Sequence, residues 1–140
     1  MGFNVIDAIK KMFVKKSEVV EPVTDRGDRR EEFPVTKDLW QITPMPEKNT
    51  QFTIKRKFTD AEIHRIKLGH LPAEMEDRWF SYYEDGKVYY HRSWSGCCIY
   101  IVELNLKKNK HIVTVNRDER EYTNTDINED IELINELFYL

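Results

Sequence analysis

Two short strings hold most of the side chains able to do chemistry: Glu76-Asp77-Arg78-Trp79 and Tyr90-His91-Arg92-Ser93-Trp94-Ser95. A guanidinium offers a planar fork of donors to phosphate or carboxylate, so Arg78 and Arg92 are the candidate anion ligands. Trp94 or Trp79 would give a base a stacking face, and Ser93, Ser95 and the Tyr90 phenol would bond sugar hydroxyls. Together they suit an anionic, ring-containing ligand such as a nucleotide. The enzymatic version makes Glu76 or Asp77 a general base and His91 an acid, acting on a phosphate or glycosidic oxygen that an arginine stabilises.

The same residues also have a structural reading. Arg92 opposite Trp79 would be an ordinary cross-strand pair, worth about 0.5–1 kcal/mol when exposed. Arg78 beside Glu76 or Asp77 would be a salt-bridged strand end, and His91 among tyrosines a satisfied core histidine. Other chemistry has weaker support. His64, His70, His91 and His111 lack metal-ligand spacing, so no metal is expected. The chain has no Gly-rich phosphate loop, no G-x-S-x-G elbow and no other cofactor motif. The only cysteines, Cys97 and Cys98, are adjacent and form neither a disulfide framework nor a zinc site.

Bringing the two strings together requires two chain reversals. Asp85-Gly86 between aromatic-rich runs predicts a two-residue hairpin turn joining strands 78–84 and 87–94. Tyr82 then faces Tyr89, Phe80 faces His91 and Trp79 faces Arg92. Ser95-Gly96 predicts a second tight turn, after which residues 97–106 return with His91 opposite Tyr100 and Arg92 opposite Ile99. A fourth strand is expected over 111–116, after the Lys107-Lys108-Asn109-Lys110 loop. The pleat sorts these side chains into two faces too aromatic to be bare to water, so each should be covered by a helix or by a partner. One would hold the two helices, and the other, with Tyr82, Tyr89, His91, Ser93 and Tyr100, would line a cleft.

Flanking elements complete an α+β domain over residues 50–140. A strand runs through Phe52 and Ile54. Thr59 then caps a helix, Glu62 returns the bond and Phe58 staples onto Ile63; Gly69 and Pro72 stop it. A last helix opens at Thr125 or Asp126 and aligns Ile127, Ile131, Ile134, Leu137 and Phe138. The expected fold is a small antiparallel sheet of about four to five strands in a hairpin meander, packed with two helices.

Upstream, residues 1–16 read as an amphipathic helix, with Phe3, Ile6, Ile9, Met12 and Phe13 on one face and lysines at its C-terminal end. It would dock on the domain, self-associate or bind a partner protein, in preference to lying on a membrane surface. Residues 17–49 form a linker and arm. Thr24–Glu32 holds seven charged residues in nine, too polar to offset the entropy of ordering. From Phe33 to Pro46 an extended, proline-bearing arm would pack Trp40 on the domain.

At 140 residues the chain has room for one domain with appendages. Twenty-two Lys and Arg against twenty-five Asp and Glu leave a net charge of −3, which argues against a duplex-coating nucleic-acid binder. No apolar run approaches the roughly 18 residues of a membrane span, and a cytoplasmic location is expected. Met75-Glu76-Asp77-Arg78-Trp79-Phe80, followed by His91-Arg92-Ser93-Trp94-Ser95-Gly96, resembles a small bacterial domain marked by M-E-D-[RK]-W-F and H-R-S-W-[ST]-G. The likeness covers about residues 69–104. Such domains sometimes accompany macrodomain or ADP-ribose-processing proteins, so the resemblance implies a family site and an ADP-ribose-like ligand, with no catalytic assignment. Three functions stand: nucleotide-type ligand binding, hydrolysis of an ADP-ribosyl or related linkage, and an inhibitor- or immunity-type interaction module whose three Trp and seven Tyr suit hot spots.

Overall fold

The computed structural model describes residues 33–140; the expected helix over 1–16 and the charge-rich part of the linker lie outside the described residues. Alternating apolar and polar residues form β1 (Asn49–Lys55). The capping box then closes at Thr59: its hydroxyl accepts from Glu62 N at 3.1 Å while the Glu62 carboxylate accepts from Thr59 N at 2.9 Å. It opens α1 (Asp60–Leu68). Next come β2 (Trp79–Glu84), β3 (Lys87–Arg92), β4 (Cys98–Glu103) and β5 (Lys110–Asn116). Asp126 caps the final helix, α2 (Ile127–Leu137), by accepting from Asn128 N at 2.9 Å.

The fold is α+β, with five antiparallel strands in the order β1-β5-β4-β3-β2. β2 to β5 run as a meander, and β1 closes the far edge by pairing with β5 from Asn49↔Asn116 to Lys55↔Lys110. The Asp85-Gly86 turn has φ of 53° and 80°, the mirror-image geometry that matches strand twist, and β2–β3 take the expected register.

The β3–β4 register differs from expectation. Tyr90, not His91, pairs with Tyr100, and His91 pairs with Cys98. The cause lies in the connection. Arg92 N donates to Cys97 O and Gly96 N to Arg92 O, both at 2.9 Å, so Ser93–Gly96 form a four-residue loop where a two-residue turn was expected. Ile99 becomes the extra residue of a bulge, and Tyr100 and Val102 move to the face of Tyr90 and Val88.

That face packs under the helices in one core that includes Ile66, Trp79, Val113, Val115, Ile134 and Phe138. Fully buried Asp130 on α2 ties helix to sheet: it accepts from Tyr100 Oη and Arg117 Nη2, each at 2.7 Å, and from Asn124 Nδ2 at 2.9 Å. Those bonds offset the cost of burying the carboxylate. The opposite face is covered by the chain's own arm, where a helix or a partner was expected: Val35, Leu39 and Trp40 lie over Phe80 and Tyr82. As expected of the arm, Trp40 docks: it stacks on Phe80 at 5.7 Å, and its indole N–H donates to Ser93 O at 2.9 Å. Among the described residues no helix is long and apolar enough to cross a membrane.

Candidate functional site

The Ser93–Gly96 loop clips onto the segment before β2. Ser93 N donates to Arg78 O at 2.9 Å, extending the β2–β3 ladder by a step. Ser93 Oγ donates to Asp77 O at 2.8 Å, and Trp94 Nε1 to Met75 O at 2.9 Å. These bonds bring the acidic-basic string and the Arg-Ser-Trp string side by side, as the hairpin reading required. Between them opens a cleft of about 690 Å3, lined by Glu76, Arg78, Arg92 and Glu121, with Met75, Trp94 and Ser95 around them.

Arg92 is held from below. Its guanidinium carbon sits 4.7 Å from the centroid of the Trp79 ring, which is stacked on Tyr100 at 6.2 Å. Trp79 is buried, so its place is under Arg92 and not against a base. Trp94 is 72% exposed and Met75 66%, which leaves the Trp94 ring as the stacking surface on the cleft. Arg78 and Glu76 are exposed. Among the described residues neither their side chains nor the Arg92 guanidinium enters an internal hydrogen bond or ion pair.

Four other expected site residues do not reach the cleft. The Asp77 carboxylate accepts from His70 Nε2 at 2.8 and 3.0 Å and from Ala73 N at 3.3 Å, so it fastens the loop over residues 70–78. His91 is 2% exposed behind the sheet, where its Nδ1 donates to Gly96 O at 3.0 Å and its ring stacks on Tyr82 at 5.8 Å. Burial holds its pKa below the usual histidine range, against the opposing pull of the Gly96 bond. Nε2 is left buried without a partner, an acceptor lone pair in an aromatic surround. Tyr90 lies on the helix side against Phe138, and burial raises its phenol pKa. Ser93 is buried and uses its hydroxyl on Asp77.

Glu121 has no counterpart in the sequence reading. Its Oε1 accepts from Asn116 Nδ2 at 2.9 Å, and the same nitrogen donates to Cys98 O at 2.8 Å. Burial, then the nearby Glu121 charge and Cys97, push the Cys98 thiol up to about 12. Glu121 belongs to a mixed-charge loop with no periodicity, and the one hint of a role is the polar Asn116 at the inner end of a strand.

The site therefore pairs two free guanidiniums with a bare indole and two carboxylates. It can hold an anion and a ring; a proton relay through Asp77 and His91 is not assembled. Among the described residues no group of three or more His, Cys, Asp and Glu is placed to hold a metal ion. Comparison with protein-family models, with curated proteins and with solved structures returns no match.

Proposed function

We propose that the cleft binds a phosphate-bearing ligand of nucleotide type, ADP-ribose being the first to test. The observation that carries this reading is the pair of guanidiniums, Arg78 and Arg92, sharing an open cleft with the exposed Trp94 ring and engaged by no carboxylate among the described residues. Arg92 arrives pre-positioned on Trp79, which lowers the ordering cost of binding. Ser95 adds a hydroxyl at the rim, although its oxygen already accepts from Cys97 N at 3.2 Å. Binding is favoured over hydrolysis because the Asp77 carboxylate and the His91 ring are engaged away from the cleft.

Titration calorimetry with ADP-ribose, NAD and mononucleotides tests the reading. A charge-assisted bond is worth about 1.5–3 kcal/mol, so Arg78→Ala and Arg92→Ala should each weaken binding by about ten- to hundredfold. No heat from folded protein with any of these ligands overturns it. A second reading, an interaction module for a partner protein, draws on the exposed Met75 and Trp94 side by side at the rim. Calorimetric silence combined with loss of a partner complex on Trp94→Ala would favour that reading.

A further inference from the structure

We infer that Glu121 is the specificity-determining residue of this cleft, accepting from the paired hydroxyls of a ribose while the arginines hold the phosphates. The inference rests on the nucleotide-type reading above and names the part of the ligand that a bare phosphate lacks.

Glu76, Arg78, Arg92 and Glu121 line one cleft, yet among the described residues no guanidinium there forms an ion pair with either carboxylate. Opposite charges that share a cavity without pairing leave each free for a ligand that presents both acceptors and donors. Glu121 also differs from Glu76 in being held. Its Oε1 accepts from Asn116, which is fully buried and anchored by Nδ2 to Cys98 O at 2.8 Å. Asn116 Oδ1 accepts from Asp118 N at 2.8 Å, and Asp118 O accepts from Glu121 N at 2.8 Å, so the loop that presents the carboxylate is fixed at both ends. Oε2 has no partner among the described residues.

A fixed carboxylate beside two phosphate-binding guanidiniums repels a bare polyanion. It becomes favourable once the ligand offers it O–H donors, and a vicinal diol offers two at a spacing a carboxylate spans. A site built to bond a hydroxyl also rejects an analogue without it, because its own polar group is then left unpaired. Glu121 therefore works in opposite directions on a ribonucleotide and on pyrophosphate, an asymmetry that a merely structural residue does not produce.

Calorimetry on the full chain with ADP, 2′,3′-dideoxy-ADP and inorganic pyrophosphate reads this directly. The wild type should bind ADP at least about tenfold more tightly than the dideoxy analogue. Glu121→Gln keeps an acceptor for Asn116, and should bring that ratio to within about twofold while binding pyrophosphate at least as tightly as the wild type. A wild-type ratio near one, or a ratio that survives in Glu121→Gln, overturns the inference. Should the variant not fold, the wild-type ratio decides. Binding that disappears in Arg92→Ala yet ignores the hydroxyls sinks the role of Glu121 alone, whereas no binding of any of the three ligands sinks the reading of the cleft with it.

Discussion

Alanine at Gly96 and alanine at Gly86 impose the same backbone strain in two different surroundings, and so measure what the arm contributes. The two glycines have φ of 79° and 80°. A Cβ at Gly86 meets nothing within 4 Å, whereas one at Gly96 would lie 2.5 Å from Gln41 O and 3.2 Å from Ile42 Cα. Left-handed backbone costs a non-glycine residue about 1–2 kcal/mol, and Gly86→Ala should lose that and no more. Gly96→Ala must in addition push the arm away. The displacement strains the Thr43 N–H bond to Gly96 O, 2.9 Å long, and disturbs Trp40 on the sheet. One hydrogen bond is worth about 1 kcal/mol, and overpacking of this kind costs about 1–3 kcal/mol. The Gly96 variant should therefore fall about 2–4 kcal/mol below the Gly86 variant in urea unfolding. Equal losses, within about 0.5 kcal/mol, would refute the claim that the arm is packed on this loop.

Two further outcomes follow from buried titratable groups. Burial lowers the His91 pKa from 6.5, so the folded state keeps the ring neutral while the unfolded chain takes up a proton. Stability from this site is whole above pH 6.5 and declines as pH falls from there through the folded value, with a limiting slope of about 1.4 kcal/mol per unit. Denaturant midpoints at pH 7.5 and 5.5 should drop less in His91→Asn than in wild type; identical drops refute it. Cys98 is 1% exposed with its thiol pushed up to about 12, while Cys97 is half-buried. Iodoacetamide at pH 8 should reach Cys98 only after unfolding, and mass mapping that finds Cys98 alkylated first in the folded protein contradicts the packing described.

Local rules made much of the architecture readable. Asp85-Gly86 fixes the turn and with it the β2–β3 register, since only mirror-image turn geometry joins twisted strands so tightly. Thr59 and Glu62 define the start of α1 within a handful of residues. What stayed hidden depends on partners far along the chain. The Ser93–Gly96 loop lengthens because Ser93 and Trp94 bond to Asp77 and Met75, and no dipeptide rule announces such bonds. The two added loop residues shift β4 by two positions and leave its faces unchanged; the bulge at Ile99 takes one position back, and that step reverses the face assigned to Tyr100. The site was legible as a pair of strings but not as a set of roles. His70 engages Asp77 from seven residues upstream, and Glu121 enters the cleft from the loop after β5, on the strength of a side-chain bond from Asn116.

All three tryptophans of the chain meet at the same loop: Trp40 bonds the Ser93 carbonyl, Trp94 bonds the Met75 carbonyl, and Trp79 lies beneath Arg92. Intrinsic fluorescence in this protein is therefore a local optical probe. Iodide or acrylamide has ready access to Trp94 and little to the two sealed indoles, so the emission divides into a quenchable red component and a protected blue one. A molecule settling over Arg92 would shield the first component and leave the second nearly untouched, giving a label-free titration signal that separates occupancy from unfolding.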